Sequence, residues 1–566
     1  MAITHNGKIV SEDTNILLDK WGLNTVFGDE KAKKPSYCIF RNVYKAIEML
    51  KKHIDNRSRT VLHTDVDVDG VGTTYIMLKV LRYMGLNQLP IMINKDKVHG
   101  ISQKHPDYLN SNNIADFVII TDSSSNEINV IKQFNCDVLV IDHHDMIHDE
   151  TFGKCNDGIH NFVIVNSTIE NNCQEIDNEL LRKSNPVAFE NIDEYKGCQD
   201  MSCGLVVYEL LRVYCAAFSD EKILENMQLY QWAGITLYTD VIDTINERNQ
   251  WYLDNTVFSR DIESTLGTVL KQLNSYKCSI DKSYIQYTFA PVINKAIRAG
   301  KSTEVIDKII NNPYRAAELR EYDSLQEDAI NKTMFVDVDT GYGTKTKAQR
   351  TFSSETIMFD TTPYGIHPNY NGVIAGRLAG ETGKNTAVFQ ITPDGICKGS
   401  FRGAHKKVDY RKFFSDYADN VYAQGHPPAF GFELRKEQLE DIMSKIKSIE
   451  PTCDNKPFIT VGDIDDAHKG EYHVDDINEL RRLGYIWKIA TGNAKVISPD
   501  EIFIRVKASD VHLKQPKDKE KASKKLLVYT VFGMDCKAFK PLSGDYFDIY
   551  LEYTREVEAY IRMVKS

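Results

Sequence analysis

Short apolar runs recur in the first third of the chain, and each ends abruptly in acid. Val61-Leu62 empties into His63-Thr64-Asp65-Val66-Asp67-Val68-Asp69-Gly70, Phe117-Val118-Ile119-Ile120 into Thr121-Asp122, and Val138-Leu139-Val140-Ile141 into Asp142-His143-His144. Runs this short, flanked by turn residues, read as strands buried on both faces. Residues 73–86 carry apolar side chains at helical spacing, so strand, acidic loop and helix open a βαβ unit; another helix is predicted at 43–53. In open parallel sheets ligands bind beyond the carboxyl ends of the strands, and that is where these acids fall.

The pattern changes further along. From Pro313 to about Lys332, Leu319, Tyr322, Leu325 and Ala329 form a narrow stripe on an otherwise charged segment, which predicts a long connecting helix. A strand at 356–359 and a loop running into a helix over 367–378 follow, with Gly-rich turns around Gly399 and Gly425. Past a polar break near 450–456, alternating aromatic stretches (502–506, 526–532, 546–553) predict a small barrel. The predicted fold class is α/β with five parts: a lead-in (1–55), a parallel-sheet domain (56–300), a connecting helix (301–335), a smaller α/β domain (336–450) and a terminal β-barrel (455–566).

Composition narrows the function classes. At 566 residues the chain exceeds a single core, and 42% hydrophobic with 26% charged residues is ordinary for a globular protein. A net charge of −11 argues against a basic nucleic-acid coat, yet leaves local phosphate binding open. Eleven scattered cysteines without a Cys-x-x-Cys pair read as reduced thiols. With a polar start and no apolar run near the roughly 18 to 20 residues that cross a bilayer, the expected location is cytoplasmic, without membrane association.

If residues 61–69 continue as a strand, period two places His63, Asp65, Asp67 and Asp69 on one side. Carboxylates that close raise one another's pKa, and a bound divalent cation relieves them; the rival reading is a solvated acidic turn capping the next helix. An EF-hand is excluded, because its twelfth position is Ile76 rather than Glu. A P-loop at Gly300-Lys301-Ser302 is excluded by Lys295, where the first Gly belongs. A single acid at a strand end is usually a helix cap; three in succession, joined by imidazole, point to manganese, magnesium or zinc, with the mixed oxygen and nitrogen set favouring manganese.

His63-x-Asp65-x-Asp67-x-Asp69-Gly70, then Asp122, then Asp142-His143-His144 resembles the DHH phosphoesterase superfamily. Met201-Ser202-Cys203-Gly204 is similar to its Ser/Cys-Gly helix start, and Trp232 to Asp243 to its fourth metal motif, with Asp240 as the ligand and Asp243 the nearby alternative. The Asn-Arg pair that follows in the family stands here as Asn246-Glu247-Arg248-Asn249, in a different order. Asn294-x-x-x-Arg298 resembles the RecJ exonuclease branch, where Arg298 would meet phosphate; its plain alternative is an exposed Arg on an amphipathic helix. Gly376-Arg377, Ser400-Phe401-Arg402 and Gln424-Gly425-His426 resemble the DHH-associated domain, with Arg377, Ser400, Arg402, Gly425 and His426 as the substrate grip. The terminal strands, with six lysines between 514 and 525, are similar to the OB-like domain of that branch.

The resemblance implies a two-metal exonuclease that degrades single-stranded DNA 5′→3′ to 5′-mononucleotides in repair, recombination or replication. His63, Asp67 and Asp122 would hold one divalent cation, and Asp69, Asp122, His143 and Asp240 the other, with Mn2+ expected and Mg2+ as the alternative. His144 would face the phosphate, while Asp65 and Asp142 orient ligands or water. The expected protein is a monomer in a bacterial or virus-infected bacterial cell, with a helicase or single-strand-binding protein as further partners. A phosphodiesterase of dinucleotides or short oligonucleotides is the second reading, and a catalytically silent replication scaffold the third.

Overall fold

The computed structural model describes residues 4–5, 8–9, 34–94, 99–146, 162–168, 175–192, 201–240, 242, 247–256, 262–275, 280, 284–339, 345–404, 408–417, 421–446, 458–461, 472–474, 503–514, 527–531, 534–538, 541–553 and 557–563. Asp243, Asn246 and residues 515–525 of the lysine-rich stretch lie outside them, as do the side chains of Gln424 and His426. None of the described helices is long and apolar enough to cross a membrane.

Five parallel strands form the first sheet in the order β2-β1-β3-β4-β5: β1 Thr60–Thr64, β2 Ile91–Met92, β3 Phe117–Thr121, β4 Asp137–Asp142 and β5 Phe162–Asn166. Both faces are covered, so alternate residues feed separate cores. Val61, Val118, Ile120, Val138 and Val140 join Leu109 and Phe134, whereas Leu62, Ile119, Leu139 and Ile141 join the larger helical core. The register pairs Thr64 with Thr121 and Thr121 with Ile141, which brings Asp65, Asp122 and Asp142 to one edge.

On the larger face lie α1 (Val43–Asp55), α2 (Val68–Tyr83), α4 (Cys203–Phe218) and α5 (Tyr230–Thr239), and on the other α3 (Lys104–Asn112). The helix after the acidic stretch therefore starts at Val68 and not near residue 73. Asp67 caps it, its Oδ1 accepting from the Gly70 N–H at 3.0 Å. The strand ends at Thr64, so the one-sided alternation of His63 through Asp69 does not hold; Asp69 reaches the site on a helical turn.

Three helices meet at Thr236. A Cβ on Gly72 would lie 2.5 Å from Thr236 Cγ2, and one on Gly204 2.5 Å from Thr236 Oγ1. Only glycine lets α2 and α4 approach α5 this closely. The Thr236 hydroxyl also bonds Ser202, the N-cap of α4, at 2.8 Å.

The connecting segment departs from the expected single helix. Pro313–Tyr322 is a 3₁₀ helix, and α6 (Asp323–Met334) continues from it as an α-helix. Ala316, Leu319 and Tyr322 repeat every three residues and are buried, as eclipsed 3₁₀ side chains require. The period then widens, so Gln326 and Ala329 face inward and Leu325, expected on the stripe, is 45% exposed.

A second, mixed sheet follows in the order β6-β7-β8-β10-β9: β6 Ile357–Asp360, β7 Thr386–Ile391, β8 Ile396–Arg402, β9 Tyr422–His426 and β10 Ala429–Arg435. α7 (Asn371–Thr382) packs on β7 and β8. The described C-terminal strands join in one eight-stranded mixed sheet running from Tyr472–Val474 to Val511–Leu513. The OB-like barrel expected here is not shown, because parallel pairs such as Phe458–Val461 with Phe503–Lys507 extend the sheet laterally.

Replacing Gly72 in mid-helix by Ala ordinarily gains up to about 1 kcal/mol. Against Thr236, Gly72→Ala is expected to cost roughly 1–3 kcal/mol instead. Thr236→Ser, which removes Cγ2 and keeps the hydroxyl, is expected to recover most of that loss in thermal unfolding.

Candidate metal centre and phosphate grip

Asp122 is placed by the end of β3. Its backbone turns into the left-handed region (φ 64°), a conformation Asp tolerates better than most residues, and its N–H donates to the Ile141 carbonyl at 2.9 Å. Asp69 is held by another route. The N-terminus of α4 points two amides at it, Cys203 N–H to Oδ2 at 2.7 Å and Gly204 N–H to Oδ1 at 2.8 Å. Asp240 is the C-cap residue of α5.

These positions converge on His143. Its Nε2 lies 3.3 Å from Asp122 Oδ1, 3.4 Å from Asp240 Oδ2 and 3.9 Å from Asp69 Oδ2. One imidazole N–H cannot serve three carboxylates. Burial, then the neighbouring Asp240 and Asp67, push Asp69 well above the usual carboxylate range despite its two amide bonds. Burial and then Asp69, Asp67, Asp65 and Asp240 do the same to Asp122. Asp69, His143 and Asp240 form one group able to hold a cation, Asp65, Asp67 and Asp122 a second, and Asp122, His143 and His144 a third.

Orphaned polar atoms point the same way. Asp122 Oδ2, Asp65 Oδ1 and both ring nitrogens of His63 are buried with no hydrogen-bond partner. Each such atom costs about 1–3 kcal/mol unless something binds it. The residues therefore fit divalent metal, with carboxylate and imidazole donors suited to manganese or magnesium. His63 stands slightly apart: it lies on the Val61 face of β1, and burial followed by the charge of His105 brings its ring down to about 3.

Asp142 is saturated. Oδ1 accepts from the His143 N–H (2.7 Å), the His144 N–H (3.2 Å) and His144 Nδ1 (2.8 Å), and Oδ2 from the Ser125 N–H (3.1 Å). Such a carboxylate orients rather than ligates. Burial works against the charged His144 ring, but Asp142 raises it to about 10. Burial likewise opposes Asp65, yet pairing with His99 holds it below the usual range.

Several of these partners escaped the sequence reading. His99 on Asp65 and His105 edge-on to His63 (4.9 Å between ring centres) come from the segment after β2. Asn166 donates to the His144 carbonyl at 2.9 Å; a polar residue closing the apolar strand Phe162–Asn166 was the available signal. Arg248, of the reordered Asn-Arg stretch, is structural: with Arg212 it neutralises buried Glu209 and ties down the Ser36 carbonyl.

A second cluster sits between the sheets. Burial, then the charge of Arg298, lowers the Arg402 guanidinium to about 10. Burial also lowers Arg298, whose Nη1 donates to the neutral Gln326 Oε1 at 2.9 Å. No carboxylate pairs with either among the described residues. A Cβ on Gly372, at the start of α7, would stand 3.1 Å from Arg402 Nη2 and 3.4 Å from Ser400 Oγ, so Ser400, Arg402 and a helix N-terminus share one recess. Arg377 is not brought in: it lies exposed on α7 and pairs with Glu381 at 2.6 Å. Gly425, in β9 at φ 132°, presents its carbonyl to Arg411, and His426 pairs through its backbone with Ala429.

Comparison with known proteins agrees with this geometry. Residues 59–235 match the model of the DHH family, N-terminal domain. The chain is 24% identical over 438 residues to the putative SPbeta prophage-derived single-strand DNA-specific exonuclease YorK of Bacillus subtilis (strain 168), covering 71% of this chain and 68% of that protein. It is 20% identical over 424 residues to the single-stranded-DNA-specific exonuclease RecJ of Haemophilus influenzae, covering 70% and 67%. In fold it resembles the crystal structure of RecJ in complex with Mn2+ from Thermus thermophilus (TM-score 0.63, 13% identity), the likeness covering 97% of this chain and 75% of that one. Residues 59–235 carry the N-terminal domain of the DHH family, and the chain is a phosphoesterase hydrolase related to the RecJ and YorK single-strand-DNA-specific exonucleases.

Proposed function

We propose that the protein is a metal-dependent 5′→3′ exonuclease that removes 5′-mononucleotides from single-stranded DNA. The observation that carries this reading is a buried Asp/His cluster in a chain that also buries two guanidinia, Arg298 and Arg402, without carboxylate partners among the described residues: the first calls for cations, the second for a phosphate. The named activities of the related YorK and RecJ proteins support single-stranded DNA as the substrate.

His63, Asp67 and Asp122 would hold one divalent ion, and Asp69, Asp122, His143 and Asp240 the other, Mn2+ by preference and Mg2+ as the alternative. Bound there, the ions supply Lewis acidity toward a phosphoryl oxygen and a water made nucleophilic near neutral pH. The chain's own residues do the positioning. Arg402, Arg298 and Ser400 grip the phosphate next to the bond that breaks, with Gly425 and His426 closing on it. Asp142 fixes the His144 ring through Nδ1, leaving Nε2 to donate to a phosphoryl oxygen as charge builds. Asp65, held by His99, orients ligands or the attacking water. The C-terminal sheet, rich in Tyr and Phe, serves as the single-strand-binding module in which bases stack beside lysines. Domain limits of 56–300, 336–450 and 455–566 fit this division of labour.

End-labelled single-stranded DNA, duplex DNA, RNA and a dinucleotide, each incubated with Mn2+, Mg2+ or chelator, separate the readings. Expected is progressive release of mononucleotides from the 5′ end of single-stranded DNA with metal, and none in chelator. Preferential cleavage of the dinucleotide would favour the short-substrate phosphodiesterase, and inactivity on every substrate would favour a scaffold. Asp122→Ala is expected to cut turnover by roughly a thousandfold or more while leaving a folded protein. Because it also relieves repulsion among buried carboxylates, it should raise the thermal stability of chelated protein and abolish further stabilisation by Mn2+. Arg402→Ala should raise KM for single strands by about tenfold, equivalent to about 1.4 kcal/mol, with a smaller change in kcat; an unchanged KM would contradict its place in the grip.

A further inference from the structure

Arg411 bridges the second sheet and the loop that follows β4. It lies in the short helix Tyr410–Ser415, its backbone N–H donating to the Pro427 carbonyl at 3.1 Å. Nη1 donates to the Gly425 carbonyl at 2.7 Å and stands 3.5 Å from Asp145 Oδ2. Asp145 is the residue immediately after His144, and its own carbonyl is held by Asn126 Nδ2 at 3.0 Å. One guanidinium thus touches both the strand that carries His426 and the loop that carries His143 and His144.

We infer that Arg411 is a further phosphate-binding residue, held in place by Asp145 until a strand displaces that carboxylate. This rests on the single-strand reading above and extends it to a neighbouring phosphate. The resident ion pair is built to be broken. Asp145 is 63% exposed, and a solvated pair at this separation contributes little to stability. Arg411 is better buried than its partner, at 26% exposed, and the Gly425 carbonyl anchors Nη1, so the fork is oriented before substrate arrives. No other acceptor engages it among the described residues. A phosphodiester accepts two parallel N–H bonds, whereas Asp145 meets Nη1 alone at 3.5 Å, so exchange favours the strand.

The partners should therefore respond in opposite directions, which a mere interdomain strut would not produce. Binding of a fluorescent oligothymidylate is measured in chelator, where hydrolysis is stopped, across a salt series. Arg411→Ala is expected to raise Kd about five- to tenfold and to reduce the slope of log Kd against log salt by about 0.7, the loss of one phosphate contact on a single strand. Arg411→Lys, which keeps the charge, should retain the slope and recover part of the affinity. Asp145→Asn should lower Kd about two- to fivefold, because a competitor for Arg411 is removed. Equal weakening by Arg411→Ala and Asp145→Asn, or an unchanged slope in Arg411→Ala, would overturn the inference while leaving the single-strand reading intact. Failure of the unmodified protein to bind the oligonucleotide would remove both.

Discussion

Like charge held together against its own repulsion is the constraint on which this structure depends. Asp65, Asp69 and Asp122 are buried at one edge of the sheet with Asp67 and Asp240 beside them, and two of the five are forced well above the usual carboxylate range. No described side chain neutralises them fully: His143 faces three carboxylates with one nitrogen. The fold tolerates this because the elements that carry the acids are fixed by other means, and the unrelieved charge suits the cluster to hold a cation.

Those other means are close packing and backbone amides. Parallel register sets Asp65, Asp122 and Asp142 at one edge. Gly72, Gly204 and Thr236 bring α2, α4 and α5 into contact, which lets the start of α2 deliver Asp69, the start of α4 hold it with two N–H groups, and the end of α5 deliver Asp240. At the Arg298–Arg402 cluster the sign reverses. Arg298 and Arg402 are desolvated without carboxylate partners among the described residues, so this cluster carries positive charge that nothing described offsets.

Much of this was legible in the sequence, for a physical reason. Strands buried on both faces must be apolar throughout, so a carboxylate at their end stands out, and Asp122 and Asp142 could be placed from pattern alone. Asp69 was identified but misplaced, since Val68-Asp69-Gly70-Val71-Gly72 has the local character of a loop, and only tertiary contact with Thr236 shows why those glycines are in a helix. The connecting segment hid a change of period, from the threefold repeat of Ala316, Leu319 and Tyr322 to a wider one that turns Leu325 outward. Arg377 matched a motif yet found Glu381 one turn away, a pairing that spacing permits and resemblance ignores. His99 and Arg411 could not be found at all from pattern, because their partners, Asp65 and Asp145, lie far off in sequence.

The central claim is that the clustered acids are half of a metal site. A crystal structure of the protein grown with Mn2+, with anomalous scattering recorded at the manganese edge, tests it most directly. The account requires two strong peaks, one contacted by Asp69, His143 and Asp240, the other by His63 and Asp67, with Asp122 between them. Manganese bound elsewhere, or a well-ordered cluster that stays free of anomalous signal at saturating Mn2+, would contradict it.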